Sequence, residues 1–283
     1  MYNFGELLFE DFLLLQGTLP IIVKKTGIQI YDFNFRDFLE CRSIFDDINA
    51  PVVLRIGAVA EYQKLYDTMK QQGINLIHTP EEFNLCTMLP SWYPLIKDLT
   101  PKSRWYDTLP TTEQVESDMG WPIFVKGAHQ TNRHKKSLSI IEGPDQFQNL
   151  LELWKVDQIL HWQPMVCREY VKLQLVEDSV PDRIQSSMEF RVFVWKCNVV
   201  GVGRYWWEGV HYKVSDEEME KVTELAKTVA KRLNVTFLVV DIAKTEEGKW
   251  IVIEVNDAQE SGYAGVSPIY MWQKIIEREL QNE

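Results

Sequence analysis

The chain has 283 residues, of which 45% are hydrophobic and 25% charged, with a formal net charge of −11. That length buries a large core and points to two or three lobes. The acidic balance argues against a nucleic-acid surface, and no apolar run approaches the ~20 residues of a membrane span. The acidic start MYNFGELLFEDFLLLQG lacks the basic residues of a secretory signal, so the expected location is cytoplasmic. Cys41, Cys86, Cys167 and Cys197 show no CxxC spacing, which fits reduced thiols, and the five histidines form no HExxH pattern.

In chain order, IIVKK and IQIYD read as short strands around Thr26-Gly27, and FRDFLECRSIF as a helix. Val52–Ile56 is rich in β-branched residues. Ala58–Gln72 shows helical spacing of Val59, Tyr62, Leu65, Tyr66 and Met69, and Gly73 is placed to end that helix. Ile74–His78 reads as the next strand, giving a β-α-β unit and a small parallel sheet. Thr79-Pro80-Glu81-Glu82 is a helix start. The proline-rich stretch Ser91–Thr112 reads as a connector, so residues 1–110 are expected to form a small α/β domain and 111–283 a second unit, divided into lobes 111–172 and 173–283.

In the second unit, Ile123–Lys126 and Leu138–Ile141 are expected strands joined by the basic loop GAHQTNRHKKS. Gly143-Pro144-Asp145 opens a helix striped by Phe147, Leu150, Leu151 and Trp154. Met165–Leu175 reads as a strand, Val176–Ser187 as an acidic loop, and Glu189–Val194 with Val199–Tyr205 as a strand pair turning at Cys197-Asn198. Ser215 with Glu218 predicts a capping box before a helix carrying Met219, Val222, Leu225, Ala226 and Val229. A last helix is expected from Ser267-Pro268.

The stretch TFLVVDIAKTEEGKWIVIEVND, Thr236 to Asp257, reads as a β-hairpin turning at Thr245–Gly248. Alternation places Val252, Glu254 and Asn256 on one face, and folding about the turn sets Asp241 opposite Val252 with Glu254 diagonal to it on the same face. Two carboxylates and an amide are hard oxygen ligands of the kind Mg²⁺ takes. The plainer alternative is that Asp241 ends a strand and Glu254 lies on a solvated face. Lys126, at the end of the strand WPIFVK, with Arg133, Lys135 and Lys136 in the following loop, could place cations over a polyphosphate; a solvated hairpin tip is the alternative for the loop. Arg191 lies between apolar strand neighbours and so needs a partner, either Glu189, another acid or a phosphate, and Arg204 is a parallel case on the next strand.

The order of WPIFVKG, CREYVK, EFRVFV, GVGRYW, VVDIA and IEVND resembles the ATP-grasp superfamily over roughly Leu109 to Glu277. It is most similar to the clade named for two arginines and a lysine, and is also similar to the cell-division-cycle protein 123 family. The resemblance implies an α+β fold in which ATP lies between two α+β lobes, preceded by a small α/β domain. It implies that Lys126 contacts the nucleotide phosphates, that Glu169, Tyr170 and Val171 hold the adenine, and that Arg191 and Arg204 face the γ-phosphate. Asp241, Glu254 and Asn256 would then bind Mg²⁺. The basic flap has a single glycine, so the second nucleotide lysine stays open between Lys135, Lys136 and Lys172.

The function so implied is ATP-dependent ligation of a carboxylate to an amine through an acyl phosphate, on small-molecule or peptide substrates. The Ala258–Pro268 loop is a candidate for lining the acceptor pocket. The competing expectation is a nucleotide-binding assembly factor that acts on a protein partner, through Tyr205-Trp206-Trp207 and the acidic loop VEDSVPD.

Overall fold

The computed structural model describes residues 12–23, 33–43, 50–55, 59, 61–129, 136–176, 185–208 and 210–281, apart from the side chains of 136 and 137. The first four strands, β1 (Phe12–Leu15), β2 (Leu19–Val23), β3 (Cys41–Ser43) and β4 (Val53–Arg55), form a sheet in the order β3-β1-β2-β4. Only the β2–β4 pair is parallel, so the sheet is mixed. The helix expected over FRDFLECRSIF is instead a 3₁₀ turn, Phe35–Asp37, followed by β3. Asn34 makes no side-chain cap bond there, whereas pairing with β1 satisfies the backbone of Cys41–Ser43. The expected strand IQIYD lies outside the described residues.

Helix α1 (Tyr62–Gln71) ends at Gly73, whose φ of +78° is the left-handed conformation that favours glycine. The strand expected at Ile74–His78 is reduced to one parallel bridge, Val52 to Leu76. The chain must turn at once into α2 (Pro80–Thr87), where Thr79 and Glu82 make a complete capping box. Ser91–Thr112 is more ordered than a connector, because it contains most of α3 (Leu89–Ile96) and all of β5 (Ser103–Tyr106). Pro90 sits in the first turn of α3, where its missing N–H costs nothing, and Trp92 and Ile96 are buried.

The next elements are α4 (Thr112–Asp118), β6 (Ile123–Gly127), α5 (Lys136–Ser139), β7 (Ile140–Ile141), α6 (Pro144–Val156) and β8 (Met165–Glu169), with sheet order β5-β8-β6-β7. Leu138 belongs to a helical turn, so the strand expected at Leu138–Ile141 keeps only its last two residues. β8 stops at Glu169; beyond it the bridges Leu173–Thr245 and Leu175–Ser187 and the Glu246 amide on the Lys172 carbonyl hold the chain to the neighbouring sheet. The α6 stripe Phe147, Leu150, Leu151 and Trp154 is buried as its spacing predicts.

The third sheet is antiparallel throughout, with order β10-β9-β11-β12 from β9 (Glu189–Trp195), β10 (Asn198–Arg204), β11 (Phe237–Lys244) and β12 (Trp250–Asp257). The β9–β10 turn is Lys196-Cys197, at φ +45° and +61°, one residue before the expected position. Helix α7 (Asp216–Leu233) has half of the expected capping box: Ser215 accepts from the Glu218 amide, but the Glu218 carboxylate is drawn to Lys244. Helix α8 (Pro268–Leu280) closes the chain.

Two cores lie on opposite faces of this sheet. Phe190, Val192, Val194, Leu238, Val240, Ile242, Val252 and Val255 pack with residues of α2, α3 and α7 and reach Ala128 and Val166 of the preceding lobe. Phe193, Trp195, Phe237 and Val239 pack on α8 and the first sheet. Each such large side chain contributes about 1.5–3 kcal/mol on burial, so the packing holds the three sheets around one junction.

Candidate active site

A single row crosses the third sheet. Gly203, Arg191, Asp241 and Glu254 stand directly opposite one another on β10, β9, β11 and β12. The last member arrives by an irregularity: Ile242 pairs with Val252 and Asp241 with Glu254, which leaves Ile253 as an extra, unpaired residue. Without that bulge Asp241 would face Ile253, and Glu254 would point to the other side of the sheet. The expectation that Asp241 opposes Val252 is therefore wrong by one register step. The two carboxylates still share a face because the bulge restores it.

Neither carboxylate is free. Arg191 grips both oxygens of Asp241 (Nε–Oδ1 2.9 Å, Nη2–Oδ2 2.8 Å) and donates from Nη1 to the Gly262 carbonyl at 2.8 Å. Its guanidinium also lies 4.9 Å from the Tyr205 ring. Lys126 reaches across from β6 to the Glu254 carboxylate. Burial pushes the Asp241 carboxyl up against the pull of Arg191. Burial also acts to raise Glu254, but Lys126, Arg191 and Arg168 outweigh it and hold that carboxyl below its usual range. Asp241 is 1% exposed and Glu254 has a side chain 20% exposed, so Glu254 is the carboxylate nearer solvent.

Asn256 lies two residues past Glu254, opposite Val239, and is half-buried. Gly203 must be a glycine: a Cβ there would stand 2.2 Å from the backbone of Gly265, where the loop after β12 crosses the row. Arg204 is not in this row. It pairs with Phe190, whose side chain is on the opposite face, and its guanidinium donates to the Val210 carbonyl at 3.2 Å and lies beside His211 Nδ1 at 2.9 Å. Glu169 ends β8 and Tyr170, Val171 and Lys172 follow it, with Glu169 and Lys172 exposed. Lys136 opens α5, and its side chain, like all of Arg133 and Lys135, lies outside the described residues.

Glu189 is not the partner of Arg191. Its carboxyl accepts from Ser187 Oγ (3.2 Å) and Trp206 Nε1 (3.1 Å), and burial, reinforced by Asp241, pushes it up to about 8. Residues that sequence reasoning passed over also surround the row. His129, three positions after Lys126, brings Nε2 to 3.9 Å from Glu260 Oε2, and Glu260 Oε1 accepts from the Val59 amide at 2.8 Å. Burial lowers the His129 imidazole and raises the Glu260 carboxyl. Arg55 of β4 binds the Ala258, Gln259 and Ser261 carbonyls at 2.6, 3.0 and 3.0 Å, so the expected pocket loop is fastened to the first sheet. Arg168 was legible only as a charge inside the apolar run MVCRE.

Among the described residues, His78, Cys86 and Asp257 also bring ligand atoms within 4.8 Å of one another. This cluster is a buried staple. His78 Nε2 accepts from the Phe237 amide (3.1 Å) and Nδ1 faces Asp257 (3.3 Å), while the Asp257 oxygens accept from the Gln259 amide and side chain.

Over residues 97–275 the sequence matches the ATP-grasp domain, family 3 of the clade named for two arginines and a lysine. The chain belongs to this ATP-grasp family. The match does not extend to the cell-division-cycle protein 123 family, whose likeness is not supported. No curated protein matches the sequence. Among solved structures the chain is similar to a RimK domain ATP-grasp protein from Sphaerobacter thermophilus (13% identity, 81% of this chain and 76% of that one, TM-score 0.52). It is also similar to D-alanine–D-alanine ligase from Bacillus anthracis complexed with ATP (16%, 81% and 79%, 0.56). A third is the ATP-grasp ligase PsnB complexed with minimal precursor, Mg and ADP (17%, 82% and 78%, 0.51). At these identities the likeness is one of fold, the α+β ATP-grasp fold. No described helix is long and apolar enough to cross a membrane.

The donor set fits the group that the fold implies. Asp241, Glu254 and Asn256 offer carboxylate and amide oxygens, the ligand chemistry of Mg²⁺, and Lys126 and Arg191 are the cations a polyphosphate takes.

Proposed function

We propose that this ATP-grasp chain is an ATP- and Mg²⁺-dependent ligase that joins a carboxylate to an amine. The observation that carries the reading is the meeting of Lys126, from the β6 sheet, with the row Arg191, Asp241 and Glu254 of the third sheet, two cations and two carboxylates in contact. Glu254 and Asn256, with Asp241 behind them, would hold Mg²⁺, which when bound supplies charge neutralisation for the phosphoryl oxygens. Lys126 and Arg191 would orient the triphosphate, and Glu169–Lys172, with Lys136 on the flap side, would hold the nucleoside and remaining phosphate charge.

In this reaction a donor carboxylate oxygen attacks the γ-phosphorus, the β–γ bridging bond breaks, and ADP leaves. The amine nitrogen then attacks the acyl carbon, the carbon–oxygen bond to phosphate breaks, and the amine gives up a proton. The chain's part is positioning and charge balance, and no side-chain nucleophile is needed. PsnB is complexed with a precursor peptide, which makes peptides one substrate class for this chain.

The aromatic cluster does not favour the assembly-factor reading. Trp206 is hydrogen-bonded to Glu189 and Tyr205 stacks on Arg191; Trp207 is half exposed. The test is ADP release from ATP and Mg²⁺ with carboxylates, peptides and amines supplied in pairs. Turnover that requires both partners and disappears in Glu254→Gln supports ligation. Nucleotide binding without turnover across the panel contradicts it.

A further inference from the structure

Arg168 lies on β8, opposite Ser103 of β5, and is buried to 4% exposure. Among the described residues it meets only neutral oxygens: Ser103 Oγ at 3.1 Å from Nε, Thr100 Oγ1 at 2.6 Å from Nη2 and the Ile253 carbonyl at 2.6 Å from Nη1. Burying a guanidinium with no carboxylate hydrogen-bonded to it is expensive, and burial pulls Arg168 down to about 10 against the opposing charge of Glu254, still protonated at neutral pH. Such a group needs a reason beyond packing.

That reason is where its hydrogen bonds end. Ile253 is the extra residue of the β12 bulge, opposite no residue of β11, and its carbonyl accepts from Arg168. Thr100 Oγ1, which accepts from Arg168, donates to the Val252 carbonyl at 2.7 Å, and the Val252 amide donates to the Leu99 carbonyl at 2.8 Å. One guanidinium from the first lobe thus secures two consecutive carbonyls of the second lobe, directly or through Thr100, at the point where the strand steps out of register. The next residue is Glu254, and its facing depends on that step.

We propose that Arg168 is a positioning residue for metal–nucleotide binding: it pins the Ile253 bulge so that Glu254 faces Asp241. The inference rests on the reading that Glu254 and Asp241 serve a metal-bound nucleotide. Arg168 itself touches neither metal nor nucleotide. Loss of Arg168 lets β12 relax toward the unbroken register, which turns Glu254 away while leaving Lys126 in place.

The full chain is titrated calorimetrically with ATP plus Mg²⁺ and, separately, with ATP plus EDTA, as wild type and as Arg168→Met, Arg168→Lys and Thr100→Val. Val115→Ala, in the remote core of the first lobe, serves as a destabilised control, and thermal melts accompany each protein. Mg²⁺ is expected to strengthen ATP binding at least tenfold in the wild type. Arg168→Met abolishes that gain while ATP affinity in EDTA changes less than threefold; Arg168→Lys restores part of the gain, Thr100→Val loses part, and Val115→Ala keeps it. Should Arg168→Met fail to fold, Thr100→Val decides. A folded Arg168→Met, or in its absence Thr100→Val, that keeps the full Mg²⁺ gain overturns the proposal, as does equal loss of affinity with and without Mg²⁺. A wild type that binds no ATP under either condition overturns the nucleotide reading and this inference with it.

Discussion

The two ion pairs of the row differ in kind. Arg191–Asp241 is bidentate and lies within one sheet, with the Asp241 carboxylate buried to 1% exposure and the Arg191 side chain 12% exposed. Lys126–Glu254 joins two sheets from different lobes, and its carboxylate retains some exposure. A pair inside a sheet is part of the sheet's construction, whereas a pair between lobes can exchange partners when a ligand enters. The account therefore assigns Asp241 mainly to architecture and charge balance, and Glu254 to ligand-dependent chemistry.

The largest effect should come from breaking the inner pair. Asp241→Ala leaves the Arg191 guanidinium buried without its carboxylate, and breaking such a pair costs about 3–5 kcal/mol. Chemical denaturation should show that loss; a variant within about 1 kcal/mol of wild type would remove the distinction. Glu254→Gln should be milder for the fold and severe for the site, with Mg²⁺–ATP affinity falling about tenfold or more, or about 1.4 kcal/mol. Glu254→Ala is the poorer test, because it strands Lys126, which the sequence alone did not reveal.

Glu189 sharpens the comparison, since it shares the sheet face but lacks a cation of its own. Its carboxyl is raised from 4.5 to about 8, so the folded chain keeps a proton that the unfolded chain releases in that interval. Its contribution is whole below pH 4.5 and is lost as pH rises toward 8. The melting temperature of Glu189→Gln relative to wild type should therefore climb between about pH 5 and 9; a constant difference would contradict the assignment. Arg204→Ala is expected to have the smallest effect on the site, with less than a twofold change in Mg²⁺–ATP affinity, because its side chain is on the far face. A tenfold loss would place it in the phosphate-binding group after all.

Much of this was legible in advance where one period dominated. The β11–β12 hairpin, the α6 stripe and the Thr79 cap follow from local pattern alone. The site was legible as a set of residue types, but its geometry was not. A one-residue bulge at Ile253 cannot be read from alternation, because it is fixed by Arg168 and Thr100 from distant parts of the chain. Arg204 was grouped with Arg191 because both lie in apolar runs, yet register places them on opposite faces. The Phe35–Phe45 stretch misled because its apolar spacing suits a helix while β1 offered an edge to pair with.

The central claim is that Lys126 and Arg191 belong to a triphosphate, and Glu254 and Asn256 to its metal, once ligand is bound. A crystal structure of the full chain with Mg²⁺ and a non-hydrolysable ATP analogue tests this most directly. The account predicts metal density on Glu254 and Asn256, with the Lys126 ammonium turned from Glu254 to phosphate oxygens. Nucleotide bound elsewhere, with Lys126 still on Glu254 and no metal beside β12, would contradict it.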